Sequence, residues 1–216
     1  MSPDGMSAGE EHIGALVGAL SVLNTRLLDH WGQRLALVMS GGGRLLLAGN
    51  GGSAAHAQHL STELTGKFMA DRAPYSAIAL HADTSAVTAI ANDYGYDEVF
   101  ARQVHAHGRA GDVLLSLSTS GRSRNVLRAV AIARARGLAT WALTGPAPNP
   151  LAGACDEAVC VQPGGAPALT ATVQEAHQVA LHLICLAFDG CVADLASRAR
   201  ADSETDLNQE VAGWTS

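Results

Sequence analysis

Aromatic side chains are scarce in this chain, with three Trp, three Tyr and three Phe among 216 residues. The core must therefore be built from Ala, Leu and Val, small side chains that let helices lie close to a sheet and to one another. Positive charge is also in short supply: 14 Lys and Arg face 20 Asp and Glu, for a formal net charge of −6. That balance excludes a general nucleic-acid-binding surface, which needs clustered Lys and Arg against the phosphate backbone. It leaves room for a small phosphorylated ligand, because a few backbone amides and hydroxyls suffice to hold one phosphate. Cysteine occurs four times, at positions 155, 160, 185 and 191. These spacings fit neither a zinc ribbon nor a CxxC pair, and no secretory signal precedes them, so free thiols in the reducing cytoplasm are expected. No unbroken apolar run reaches the ~18 residues of a membrane span, so no membrane association is expected. Against these shortages, 48% of the residues are hydrophobic and 23 are Gly, the composition of an ordered chain. The length suits one domain with a sizeable core.

The first ten residues are polar and Gly-containing and read as a flexible arm, 1–10. From 11 to about 39, apolar residues such as Ile13, Leu16, Leu20, Leu27, Trp31 and Leu35 recur at helical spacing, which predicts one or two long helices. Short apolar runs then alternate with amphipathic stretches. Strands are predicted at 44–48, 76–80, 112–117, 139–143 and 157–161. Helices are predicted at 53–65, 84–91, 96–107, 123–136 and 172–191. Strands alternating with helices imply an α/β fold with a parallel sheet covered on both faces. The segment 193–216 is polar, acidic and poorly periodic, and reads as a disordered tail.

In such a sheet, ligands sit outside the carboxyl ends of the strands. Gly49-Asn50-Gly51-Gly52-Ser53-Ala54 lies between a predicted strand and helix. Its glycines allow close backbone approach, and Ser53 is placed to cap a helix whose amides attract anions. Neither a Walker lysine nor a dinucleotide fingerprint accompanies it. Ser118-Thr119-Ser120-Gly121-Arg122-Ser123 gathers four hydroxyls around one glycine at another strand end, a set that suits a phosphate. His59 and Glu63 are four residues apart on one helix face, as in shared metal ligation, a coupled acid–base pair or a plain surface pair. Gln174, Glu175, His177 and His182 lie on the last predicted helix. Gln174 and His182 would be about 12 Å apart along its axis and about 80° apart in direction. One compact site using both would need long reach, a bent helix or neighbouring subunits.

Four segments, AGNGGSAAHAQHLSTELTGKF, TAIANDYGYDEVFARQV, GDVLLSLSTSGRSRNV and TATVQEAHQVALH, together resemble phosphoheptose isomerase, a sugar isomerase (SIS) domain family, in the same order and spacing over 13–189. The resemblance implies a single SIS domain over 11–192. Its fold would be a flavodoxin-like three-layer sandwich with a central parallel sheet of about five strands and long terminal helices. It further implies conversion of D-sedoheptulose 7-phosphate to D-glycero-D-manno-heptose 7-phosphate in a cytoplasmic homotetramer, with active sites at subunit interfaces and one Zn²⁺ per subunit. Carried onto matching positions, His59, Glu63, Gln174 and His182 become the metal residues. Asn50, Gly51, Gly52, Glu63, Asn92, Asp93, Ser118, Thr119, Ser120, Ser123 and Gln174 become the substrate residues. An aldose–ketose interconversion through an enediolate needs a base and a complementary acid, for which Glu63 and His182 are expected.

Some positions depart from the family pattern. Arg122 stands where Asn is common, His56 where Asp is, Thr172 where Arg is, and Lys67 where Arg is frequent. They leave open an isomerase of a related ketose phosphate. A non-enzymatic relative of the same fold, a regulator binding the replication initiator, is the other alternative; it would have no chemical need for Glu63 and His182.

Overall fold

The computed structural model describes residues 7–162 and 170–213. Helix α1 (Ala8–Ser21) begins within the stretch read as a loose arm. Its cause was present in the sequence: Ser7 and Glu10 form a capping box, with the Ser7 amide donating to Glu10 at 2.7 Å and the Glu10 amide to Ser7 at 3.3 Å. Asn24 restarts the chain as α2 (Thr25–Ser40), its side chain accepting from the Leu27 amide. There are thus two helices here, with α2 burying Leu28, Trp31, Leu35 and Met39.

The alternating part follows as β1 (Leu45–Gly49), α3 (Gly52–Thr65), β2 (Ala77–Ala79), α4 (Thr84–Tyr94), a 3₁₀ turn (Tyr96–Glu98), α5 (Val99–His107), β3 (Val113–Ser118), α6 (Arg124–Ala135), β4 (Ala139–Thr144), α7 (Pro150–Ala154) and β5 (Glu157–Cys160). Helix α8 (Thr170–Gly213) closes the chain. All five strands pair in parallel, in the order β2-β1-β3-β4-β5. This is the expected three-layer α/β sandwich. Along each strand successive side chains enter opposite layers. Leu45, Leu47, Leu115, Leu117, Trp141 and Leu143 pack with α1, α2, α3 and α8, whereas Leu46, Ala48, Leu114 and Ala142 pack with α4 to α7.

Four aromatics, Trp31, Phe100, Trp141 and Phe188, are buried, so the core is not purely aliphatic. Trp31 and Trp141, both buried, stack with centroids 4.9 Å apart and planes 4° apart. The Trp31 indole donates to Glu157 at 3.1 Å, which satisfies a polar group that burial would otherwise penalise.

One expectation at the C-terminal end needs correction. The last helix does not stop near Cys191 but runs to Gly213 through the segment read as a disordered tail. That segment carries strong helix formers without an apolar stripe, so periodicity gave no sign of it. In addition, 170–201 of α8 is long and apolar enough, by length and composition, to cross a membrane. Scattered polar residues interrupt any continuous run there, which is why none was visible. Its Val173, Ala176, Ala180, Leu181, Ile184, Cys185 and Phe188 are buried in the core.

Candidate active site

Gly49, Ser118 and Thr144 end three adjacent strands, and the register sets Gly49 beside Leu117 and Ser118 beside Thr144. Since β1 has β2 on one side and β3 on the other, the loops after β1 and β3 flank the point where the strand order reverses. A crevice at such a point is where open α/β sheets bind ligands.

The loop after β1 leads directly into α3. Gly51, rather than Ser53, occupies the cap position and makes no side-chain cap bond. Ser53 is instead buried in the first turn. The turn is closed by backbone bonds instead: the Ser53 amide donates to the Asn50 carbonyl at 3.0 Å, and the Ala54 and Ala55 amides donate to the Gly51 carbonyl at 3.0 and 3.2 Å.

The loop after β3 is held from beneath. Thr144 Oγ1 donates to the Ser118 carbonyl at 2.8 Å, and the Gly121 amide donates to Ser118 Oγ at 3.2 Å. Ser118 Oγ and Ser123 Oγ lie 3.1 Å apart, so two of the four expected hydroxyls share one focus. Ser120 Oγ accepts from the Arg122 amide at 3.3 Å, which leaves Arg122 exposed. Gly145 fits tightly below the loop; a Cβ there would lie 2.1 Å from the Thr119 carbonyl oxygen.

Two residues absent from the sequence reading join these loops. Asn50 and Asn125 exchange amide hydrogen bonds, each at 2.9 Å, across the crevice. Asn125 is buried at the start of α6, and Tyr96 donates its hydroxyl to Asn50 at 3.1 Å. The one signal for Asn125 was its place in the first turn of a helix that begins at the serine loop. Nothing local marked Tyr96. Asn92 and Asp93 are exposed at the end of α4, where the Asn92 amide donates to Asp93 at 2.8 Å, three residues before Tyr96.

Helices α3 and α8 pack together and carry the titratable groups. His59 Nε2 lies 2.9 Å from His182 Nε2 and 3.4 Å from Glu63 Oε1. Gln178 Nε2 approaches the same His182 nitrogen at 3.0 Å. His182 Nε2 is thus approached from both helices, by His59 on α3 and by Gln178 on its own α8. Phe68 lies against His182, with centroids 5.5 Å apart. The Glu63 side chain keeps 18% of its surface exposed, so the cluster is shielded but reachable from solvent.

Gln174 lies elsewhere. A Cβ on Gly52 would come within 2.2 Å of Gln174 Nε2, so the amide covers the glycine loop two helical turns before His182. Within one chain, therefore, His59, Glu63 and His182 converge and Gln174 stands over the substrate crevice. Among the described residues, no group of three or more His, Cys, Asp or Glu is placed so that it could hold a metal ion. His59, Glu63 and His182 are nevertheless donors of the kinds zinc takes.

Below the cluster, His177 is fully buried on α8 with neither ring nitrogen hydrogen-bonded, and desolvation takes its pKa down to about 4. Nearby His56 is lowered too, first by burial and then by the charge of His59. Both rings are thereby kept neutral.

A flavodoxin-like parallel sheet with hydroxyl- and glycine-rich loops at its switch point, and a His–Glu–His cluster further along α3 and α8, defines an α/β domain of the kind that binds small ligands at its strand ends. The family model for the SIS domain matches residues 11–145. The phosphoheptose isomerase of Streptomyces coelicolor is 64% identical over 169 residues, covering 78% of this chain and 71% of that protein. The chain belongs to the phosphoheptose isomerase family of SIS-domain proteins. Among solved structures, a phosphoheptose isomerase from Neisseria gonorrhoeae superimposes with a TM-score of 0.73 at 40% identity, covering 84% of this chain and 95% of that one. One from Francisella tularensis gives 0.75 at 32% identity, covering 84% and 94%.

Proposed function

We propose that this protein is the aldose–ketose isomerase that converts D-sedoheptulose 7-phosphate to D-glycero-D-manno-heptose 7-phosphate, the first step of activated heptose formation. Membership in the phosphoheptose isomerase family supports this substrate class. The observation that carries the chemistry is the convergence of Glu63 and His182 on His59, on the helix that the glycine loop opens.

Ser118, Thr119, Ser120 and Ser123 bind the phosphate through hydroxyls and backbone amides. Asn50, Gly51, Gly52, Asn92, Asp93 and Gln174 hold the sugar chain. Glu63 removes a proton from C1 of the open-chain ketose. The electron pair of that C–H bond becomes the C1=C2 bond of an enediolate, and the charge moves to O2. His182 delivers a proton to O2 and accepts the proton of the O1 hydroxyl, so the C1=C2 pair collapses toward C2 and C1 becomes the aldehyde. Glu63 returns its proton to C2. A zinc ion held by His59, Glu63 and His182 would add polarisation of the sugar oxygens.

Incubation of the zinc-supplemented protein with sedoheptulose 7-phosphate, followed by NMR, tests this reading. Aldoheptose phosphate is expected, and Glu63→Gln and His182→Ala should each lower kcat at least about 100-fold. Near-normal turnover by Glu63→Gln would remove the assignment of the base. A folded protein inert on this sugar but active on another ketose phosphate would change the substrate.

We further infer a homo-oligomer, a tetramer by family habit. Ile13 and Val17 on α1, Leu37 on α2, and Val179 and Leu186 on α8 remain exposed, an apolar area suited to subunit contact. Four unpaired cysteines support a reducing, cytoplasmic setting.

A further inference from the structure

Glu63 stands in the last turn of α3, two residues before the helix ends at Thr65. Helix ends fray, because their final carbonyls have no partner within the helix. A base that must meet a carbon-bound proton cannot tolerate that looseness. One side chain removes it. Arg72 Nη2 donates to the Glu63 carbonyl at 2.8 Å, and Arg72 Nη1 donates to Leu64 at 3.0 Å and more distantly to Gly66 at 3.5 Å. Its cation also stands where the helix dipole is negative, which favours it further.

The same guanidinium reaches the other helix of the site. Arg72 Nε donates to Asp189 Oδ1 at 2.7 Å, and the two side chains are only 8% and 15% exposed. Asp189 follows His182 by seven residues on α8, so both lie on about the same face of that helix. Tyr75 and Phe188 wall the guanidinium, with ring centroids at 5.5 and 5.2 Å, and shield it from water. A planar fork can bond several carbonyls and a carboxylate at once; a lysine ammonium, a single point of charge, cannot.

We propose that Arg72, anchored by Asp189, is a positioning residue for catalysis: it locks the terminal turn of α3 to α8 and so fixes Glu63 opposite His182. This rests on the acid–base reading of those two residues. Arg72 touches neither the sugar nor the phosphate loops, so its loss should act on the chemical step and not on binding.

The test is steady-state kinetics on sedoheptulose 7-phosphate for Arg72→Lys and Asp189→Asn, with activity expressed per folded molecule. A kcat lower by about 10- to 100-fold with KM within about twofold is expected for Arg72→Lys. In a Glu63→Asp background, where the carboxylate is already displaced, adding Arg72→Lys should cost less than about threefold further. Unchanged kcat per folded molecule would overturn the proposal, because Arg72 would then serve stability alone. The same fold-loss in both backgrounds would also overturn it, since the effect would not pass through Glu63. If Arg72→Lys fails to fold, Asp189→Asn decides by the same criteria. Glu63→Gln runs alongside: if it retains normal turnover, the acid–base reading itself falls, whatever Arg72 does.

Discussion

His177 shows how a single buried residue can set the acid limit of a fold. It is fully enclosed, and desolvation outweighs the raising influence of the Thr144 carbonyl, so its pKa falls from the ordinary 6.5 to about 4. Between those values the unfolded chain binds a proton that the folded chain refuses. Stability from this residue is thus complete above pH 6.5 and falls by about 3 kcal/mol as the pH drops to 4. Urea midpoints at pH 7.5 and 4.5 should differ in that direction, and His177→Leu should lose much of the difference. An identical pH response in the variant would contradict the assignment. Cys155 and Cys185, with pKa pushed up to about 12 by burial, should resist alkylation at pH 8 until the chain unfolds. Rapid labelling of either in the folded protein, read by peptide mass, would contradict their placement.

Among the elements, the strand ends and the loops beyond them set the site, and here backbone clearance decides. Gly145→Ala would press a Cβ onto the Thr119 carbonyl, a backbone atom that can yield only by moving the serine loop. KM for the sugar phosphate should rise about tenfold or more, at the scale of one lost charge-assisted hydrogen bond. Gly153→Ala, where a Cβ meets nothing within 4 Å, is the matched control and should leave KM unchanged. Equal KM values for both variants would mean that the loop does not depend on this contact.

The elements also show what was legible in advance. The strand–helix alternation, the glycine and serine loops and the His59–Glu63 spacing are local patterns, and each reappears where the sequence placed it. The roles of Asn125 and Tyr96 were not legible because they exist only once β1 and β3 lie side by side and bring Asn50 within 2.9 Å of Asn125. Helix α7, at five residues, is too short for a 3.6-residue period to register. The convergence of His59, Glu63 and His182, with Gln174 set apart over Gly52, required knowing how α3 and α8 pack.

At the scale of the whole molecule, two layers of helices enclose one sheet, with the crevice at its carboxyl edge and the shielded acid–base cluster further along α3 and α8. The exposed apolar residues of α1, α2 and α8 predict assembly: light scattering after size exclusion should give about four chains, and a monomer at working concentration would contradict this. The central claim is that a proton, not a hydride, moves between C1 and C2, carried by a group in contact with solvent. It is tested most directly by running the sedoheptulose 7-phosphate reaction in D2O and reading the product by NMR. Because Glu63 retains 18% exposure and neighbouring His59 38%, the carried proton can exchange, and deuterium should appear at C2 of the aldoheptose phosphate. Product formed with no deuterium at C2 in the wild-type enzyme, or undiminished product from Glu63→Gln, would contradict the account.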